Sequence, residues 1–158
     1  MNPEHLTLLR RILTVPRLLT VAVPVAEEIV VGVVPFLSDV DLLAVVVHTS
    51  RLAKHSKGLR AGARFSAAVH EPDRAEMDPL ALPRLLFDGT VEAVAPAEQR
   101  RLESAWVERF PSAVMTISLG DFDFHRLRFA KGRLISGFAQ AFSIGPRQLG
   151  EAAALRVG

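Results

Sequence analysis

Apolar residues recur along this chain with two different periods, and the change of period marks out the elements. At the N-terminus a helical period of leucine and isoleucine, closed by Pro16, predicts an amphipathic helix over residues 3–15. We expect this helix to close one open end of the barrel that the strands described next would form. Three runs rich in branched residues follow, at Leu18 to Val23, Ile29 to Phe36 and Leu42 to Val47. Short polar segments separate these runs, which therefore predict successive strands with short turns.

The middle of the chain alternates between basic, apolar and proline-rich segments. Ser50 to Leu59 is rich in basic side chains and lacks proline, which predicts a short helix, and Phe65 to Val69 predicts a strand. Three prolines mark residues 71–83 as a connecting loop. A strand pair is then expected around Leu85 to Val94, with a bulge or turn at Asp88 and Gly89.

The C-terminal half returns to clear periodic patterns. Pro96 at a helix start predicts a helix over residues 96–110, and alternation of apolar and polar residues through several positions predicts a strand over 121–129. A turn is expected at Lys131 and Gly132, before a last strand from Leu134 to Phe142 that contains Gly137. Six or more strands with two substantial helices indicate an α+β barrel, and the uniform composition indicates a single domain over residues 1–158.

Composition narrows the class of protein. The chain is 49% hydrophobic with a net charge of only +2, which predicts a soluble globule and argues against a nucleic-acid surface. Glu27 and Glu28 interrupt the longest apolar stretch, so no membrane span is expected, and Pro16 breaks the stretch that would resemble a signal peptide. The chain has no cysteine, which excludes disulfides, thiolate metal sites and a cysteine nucleophile. We expect a cytoplasmic protein.

The basic segment is the first candidate for chemistry. Arg51, Lys54, Lys57 and Arg60 recur every three residues, which would place several cations on one side of a helix. Thr49 and Ser50 precede them as caps. Hydroxyls and cations at a helix start would bind phosphate. The same pattern is also typical of a capped helix with a solvated basic face.

Three stretches of the chain resemble, in order, a known family. They are VVPF with HTSRLAKHSKGLR between residues 33 and 60, DPLALPRL with a later glycine between 78 and 89, and RFP, DFDFHRL and GFAQA between 109 and 141. These segments resemble the heme-utilisation branch of the pyridoxamine-phosphate-oxidase-like flavoproteins. The resemblance implies an FMN-binding split β-barrel, antiparallel, of six or more strands and Greek-key type, with flanking helices. It does not fix an activity, because one fold hosts many functions.

The same resemblance implies an FMN site. The phosphate would be held by Ser50, Lys54, His55 and Ser56, with Thr49 beside them and Arg84 as a further cation. Val34, Pro35 and Phe36 would lie along the isoalloxazine ring. Gly137, Phe138 and Gln140 would come from a partner subunit, since FMN lies between two barrels in this family, so a homodimer is implied.

Three functional hypotheses remain open from the sequence. The first is an FMN-dependent oxidoreductase acting on an unidentified small molecule, with no catalytic residue assigned. The second is a module that binds heme or another tetrapyrrole in the same interface pocket without turnover. Gly32 or Val33 stands near the place of the family's serine and Gly58 stands in place of its asparagine, and these departures motivate the third, a dimeric scaffold without a cofactor.

The remaining polar residues favour structural roles. The five histidines are spread over distant segments, so no metal site is expected. Trp106 is expected in the core or at a dimer contact. The carboxylates at positions 39, 41, 121 and 123 fit turns or a wet strand face, and Arg126 and Arg128 fit a solvated strand edge better than an anion site.

Overall fold

A computed structural model describes residues 1–155, in which seven strands and four helices follow one another. The strands are β1 (Leu18–Val25), β2 (Glu28–Ser38), β3 (Ala44–Ser50), β4 (Arg64–His70), β5 (Arg84–Ala93), β6 (Phe122–Gly137) and β7 (Gln140–Ile144). The helices are α1 (Pro3–Thr14), α2 (Gln99–Arg109), α3 (Val114–Ser118) and α4 (Pro146–Ala153). Short 3₁₀ turns cover Lys54–Gly58, Pro79–Ala81, Pro96–Glu98 and Pro111–Ala113.

Six of the strands close into an antiparallel barrel. The ring runs β3-β2-β1-β4-β5-β6 and closes because β3 also pairs with β6. β1 to β3 form a meander, and β4 returns beside β1, which is a Greek-key arrangement. β7 pairs with the second half of β6, outside the ring. The predicted split-barrel fold is therefore confirmed.

Alternating side chains fill the barrel, and α1 closes one end of it. Leu19, Val21 and Val23 of β1 point inward and are buried, as the period of two predicts. Leu9, Ile12 and Leu13 of α1 are completely buried in the same core. The N-terminal helix thus has the barrel-plugging position expected of it.

The opposite barrel end is closed by the 3₁₀ turn Lys54–Gly58, where the sequence predicted a helix over residues 50–59. That helix is wrong in extent, because β3 continues to Ser50, which pairs with Phe122 of β6. The Ser50 hydroxyl then accepts a hydrogen bond from the Leu52 N–H at 3.2 Å, which turns the chain instead of starting a helix. A capped helix start at Thr49 and Ser50 therefore does not exist.

Two glycines of the C-terminal half allow close approach between strands. A Cβ on Gly89 would lie 1.8 Å from the Arg128 carbonyl oxygen. The ladder shifts register between Asp88 and Gly89, which confirms a bulge at this point, but the extra residue is Ala130 of β6 and not a residue of β5. The segment around it is one strand, β5, where a strand pair was expected. A Cβ on Gly132 would lie 2.7 Å from the Leu86 carbonyl oxygen. Gly132 lies inside the long strand β6, so the predicted turn at Lys131 and Gly132 is wrong.

The turn between β6 and β7 lies instead at Phe138 and Ala139, and Ala139 adopts a left-handed φ of 56°. α4, which follows β7, was not predicted. Leu149 and Ala152 of α4 are completely buried, and Arg10 of α1 donates to the Ala153 carbonyl oxygen at 2.7 Å. Only two apolar positions of so short a helix enter the core, which is too few to mark it by period.

α2 packs against the outer wall of the barrel and forms a second apolar cluster there. Trp106 and Phe110 contact outward-facing side chains of β3 and β6, among them Val46 and Phe124. The predicted helix over residues 96–110 is confirmed apart from its first turn, which is 3₁₀. Trp106 is a core residue, in agreement with the first of its two expected roles.

Arg126 lies beneath the start of α2, where the sequence predicted a solvated edge. Its guanidinium bonds the Asp39 carboxylate at 2.9 Å and both oxygens of Glu98, and it is only 9% exposed. The prediction is wrong because β6 pairs on both sides, with β3 and β5, and is not an edge strand. Arg128 is more exposed and lies 3.9 Å from Glu92.

Candidate functional site

The site residues predicted from the sequence fall into two groups at opposite ends of the barrel. Thr49 to Ser56 lie where β3 ends and β6 begins. Arg84 pairs with Ile135 at the other end of β5, and the β6–β7 turn projects beyond it. Arg84, Gly137, Phe138 and Gln140 line one shallow apolar pocket there. One chain therefore does not bring the two groups to the same ligand.

The first group forms a polar corner around the 3₁₀ turn. Ser56 Oγ donates to Thr49 Oγ1 at 2.8 Å, and Ser50 Oγ donates to Asp121 Oδ2 at 3.3 Å. Lys54 extends into solvent and bonds the Glu28 carboxylate. The corner thus collects three hydroxyls and an ammonium group.

The cations of this corner already have carboxylate partners. Besides the Lys54–Glu28 pair, Arg51 donates two hydrogen bonds to Asp123, at 2.8 and 3.1 Å, and these hold the pKa of Asp123 below its usual value. A phosphate binding here would have to compete with Glu28 for Lys54. Such exposed pairs contribute little free energy, so the competition is not severe.

Two buried polar atoms of this corner lack a hydrogen-bond partner within residues 1–155, namely His55 Nε2 and Asp121 Oδ1. Burial lowers the pKa of His55, which favours the neutral imidazole. The ring lies against β2 at Gly32, where a Cβ would come within 2.7 Å of it. Buried polar atoms normally have partners, so these two atoms are candidates to bond hydroxyl or amide groups of a ligand, which would have to displace a neighbouring side chain to reach them.

An apolar cleft on the outer wall of the barrel adjoins the polar corner. We call it the aromatic cleft; its volume is about 480 Å³, and it is lined by Arg17, Leu18, Pro35, His48, Trp106, Phe110, Ser112, Ala113, Thr116 and Phe122. Phe122 pairs with Ser50, so the cleft and the corner meet along β3 and β6. A cleft of this size with a few polar groups is typical of a small-molecule site.

His48 is the titratable group in the floor of the aromatic cleft. Its ring stacks on Phe124 with 4.2 Å between centroids and meets the Trp106 ring edge-on at 5.6 Å. Burial lowers the pKa of His48 to about 4, although the charges of Asp123 and Glu103 oppose the shift. At neutral pH the cleft therefore presents an uncharged imidazole.

The three residues predicted along the isoalloxazine ring divide between the two faces of β2. Pro35 lines the aromatic cleft, whereas Val34 and Phe36 are buried in the barrel core. Alternation along a strand makes this split unavoidable. Only the backbone of Val34 and Phe36 is therefore available to a ligand on the outer wall.

Sequence reasoning missed most of the cleft, including Arg17, Phe110 and Phe122. Its lining comes from β1, β2, β3, β6, α2 and α3 with the turn before it, so no short motif contains it. The exposure of apolar residues is also visible only in the fold. Leu18, Ile29, Val31 and Val33 of β1 and β2 are 55%, 70%, 59% and 64% exposed on the outer face next to the cleft.

No protein-family model and no curated protein matches this chain. Solved structures do match. A heme binding protein from Mycobacterium smegmatis aligns with a TM-score of 0.79 at 24% identity, over 96% of this chain and 62% of that protein, so the chain spans less than two thirds of its length. HutZ, described as the heme storage protein from Vibrio cholerae, gives 0.66 at 22% identity over 89% of this chain and 92% of its own.

A third match is described as the FAD and heme binding protein from Mycobacterium smegmatis. It gives a TM-score of 0.60 at 17% identity, over 92% of this chain and 82% of its own length. Identities this low establish the fold alone. The chain thus has the split-barrel fold that these heme-binding and flavin-binding proteins share.

Two further findings concern the described part of the chain. None of the helices in residues 1–155 has the length and hydropathy needed to cross a membrane. Within the same residues, no three His, Cys, Asp or Glu side chains come together in a way that could hold a metal ion.

Proposed function

We propose that this chain is an FMN-binding flavoprotein of the heme-utilisation branch of the pyridoxamine-phosphate-oxidase-like type, and that it acts as an oxidoreductase on a small molecule. The observation that carries the proposal is the polar corner, with its two unpartnered buried atoms, at the end of an apolar cleft. FMN has the matching chemistry, since it joins a planar ring to a polyhydroxyl chain and a phosphate. The fold is compatible with this assignment but does not require it.

The residues of the corner fit FMN by chemistry. Ser50, Ser56 and Lys54 would bind the phosphate, and the free oxygen of Asp121 would accept a hydrogen bond from a ribityl hydroxyl, which suits a carboxylate better than a phosphate does. The ring would lie beside Pro35, and a small substrate would occupy the remaining part of the aromatic cleft. Bound flavin would supply the redox chemistry, and the protein would supply orientation and exclusion of water.

We also propose that the protein is a homodimer. The four exposed apolar side chains of β1 and β2 form a face that a second copy would cover. The same copy would bring its Arg84, Gly137, Phe138 and Gln140 toward the first chain's corner, which one chain cannot do by itself. We expect Val33→Asp to give monomers in sedimentation velocity at micromolar concentration, whereas Val40→Asp, at an exposed turn, should remain dimeric. Wild type sedimenting as a monomer would refute the dimer.

Lys54 provides the test of the phosphate site. We expect Lys54→Ala to weaken FMN binding about tenfold, the lower end of the range for a hydrogen bond to a charged group, because Lys54 is exposed and pairs with Glu28. Arg128→Ala is the control, since Arg128 is a partly exposed cation that also has a glutamate nearby. Fluorescence titration with FMN and with riboflavin, which lacks the phosphate, separates the phosphate contact from the ring contact.

The outcomes are distinct. Loss of FMN affinity in Lys54→Ala with unchanged riboflavin affinity supports the site. Equal losses for both ligands, or no loss for either, would mean that the corner is a solvated surface. Failure of wild type to bind either flavin would refute the cofactor.

Heme is the second candidate, and His48 is the observation that favours it. A neutral imidazole in an apolar cleft is a suitable ligand for heme iron. We expect hemin addition to wild type to give a shifted Soret band that His48→Ala lacks and that added imidazole restores. A Soret band that is identical in both proteins would exclude His48 as the ligand.

A further inference from the structure

The charge of the aromatic cleft is one-sided. Among the residues that the structure describes, its lining contains the guanidinium of Arg17 and no carboxylate. Arg17 takes part in none of the ion pairs formed within residues 1–155. An apolar cleft with a single cation at its rim attracts anions, because low-dielectric walls strengthen the field of that charge.

A second guanidinium reinforces this charge. Arg17 and Arg109 approach the same Phe110 ring, at 5.1 and 5.6 Å from its centroid. Arg109 is fixed by hydrogen bonds to the carbonyl oxygens of Pro16, at 2.6 Å, and Phe36, at 3.2 Å. Burial, and then the charge of Arg17, lower the pKa of Arg109. Arg109 thus holds the backbone, whereas the Arg17 guanidinium donates no hydrogen bond to any group of residues 1–155.

The side chains in the floor of the aromatic cleft indicate the chemistry of the rest of the ligand. Pro35 and Phe122 are the partly exposed apolar side chains of the lining, the largely buried Trp106 and Phe110 lie behind them, and His48 adds an uncharged polar group. Such walls suit an aromatic ring, and an arginine fork suits a carboxylate.

We propose that Arg17 is the anion-binding residue of the aromatic cleft and that the ligand it selects is a planar aromatic acid. The identification of this acid as the small substrate rests on the proposed function; the binding itself does not. Porphyrin propionates share the chemistry of a ring plus a carboxylate, so the test must separate the two sources.

Trp106 makes the test direct, because it is the only tryptophan of the chain and lines the cleft. Its fluorescence would be followed in full-length, cofactor-free protein titrated with cinnamate and with cinnamamide, which has the same planar body but no charge. Protoporphyrin IX and its dimethyl ester form the second pair. The variants are Arg17→Gln and, as a matched control, Arg74→Gln, an exposed cation in the loop between β4 and β5.

We expect wild type and Arg74→Gln to bind cinnamate about tenfold more tightly than cinnamamide, and Arg17→Gln to bind both equally, with unchanged cinnamamide affinity. Equal affinities in wild type, a preference that survives in Arg17→Gln, or no quenching by either compound would overturn the proposal. A preference confined to the porphyrin pair would overturn the choice of a small acid. A failed FMN titration beside a positive result here would refute the cofactor and leave Arg17 as the anion site.

Discussion

A substitution at Gly58 tests how closely the 3₁₀ turn packs against β1 of the barrel. A Cβ at this position would lie 2.6 Å from Val23 Cγ2, 2.8 Å from Val23 Cβ and 2.9 Å from the Pro24 carbonyl oxygen. Gly58→Ala must therefore push the turn away from β1. Overpacking of this kind costs about 1–3 kcal/mol. At about 2–4 °C per kcal/mol for a domain of this size, a cost of about 2 kcal/mol lowers Tm by about 4–8 °C.

Gly150→Ala is the matched control, with the opposite expected sign. Gly150 is exposed in α4, and a Cβ there would meet no atom of residues 1–155 within 4 Å. Alanine should therefore stabilise the helix by about 0.5–1 kcal/mol. Thermal and urea unfolding, followed by circular dichroism, would compare both variants with wild type. A Gly58→Ala protein as stable as wild type would refute the close packing of the turn.

Two further predictions concern charged and titratable groups. Arg126→Leu should lower the free energy of unfolding by about 2 kcal/mol in urea, because Asp39 and Glu98 would lose their common partner. The loss is moderate because both carboxylates retain some contact with water. Unchanged stability would show that the carboxylates find other partners. For His48, the folded pKa of about 4 lies below the ordinary value of 6.5, so the unfolded chain takes up the proton first as pH falls. Stability should thus be complete above about pH 6.5 and decline by up to about 3 kcal/mol toward pH 4, and His48→Phe should flatten this decline; parallel pH profiles would refute it.

The strands of the barrel could be predicted from the sequence because their side chains report the pattern locally. β1 alternates inward and outward residues, and its short polar connection to β2 marks the hairpin. The 3₁₀ turn could not be predicted this way. Its basic spacing mimics a helix face, but Ser50 and Thr49 are committed to the ladder with β6, which is a long-range pairing. The turn predicted at Lys131 and Gly132 was wrong for the same reason, because Gly132 packs against Leu86 of another strand.

The candidate site was predictable only as far as the resemblance reached. Ser50, Lys54, His55 and Ser56 lie in one corner because they are close together in the chain, and their role as a phosphate site stays a prediction. The aromatic cleft has no such local origin. Arg17 and Trp106 are 89 residues apart (106 − 17) and meet only because α2 packs on the outer wall of the barrel. The charge of the cleft therefore became visible only in three dimensions.

The packing around Gly32 and Gly58 leads to a different interpretation of these residues from the one that the resemblance suggests. Each lacks a polar side chain that the resemblance leads one to expect, which motivated a scaffold without a cofactor. Yet the His55 ring occupies the space beside Gly32, and Val23 occupies the space beside Gly58. Both glycines thus seat the same turn against the barrel, and the turn carries Lys54, His55 and Ser56. A serine at Gly32 would displace the His55 ring, and an asparagine at Gly58 would displace Val23. The two glycines therefore maintain the polar corner, and their presence is not an argument that the cofactor site has been lost.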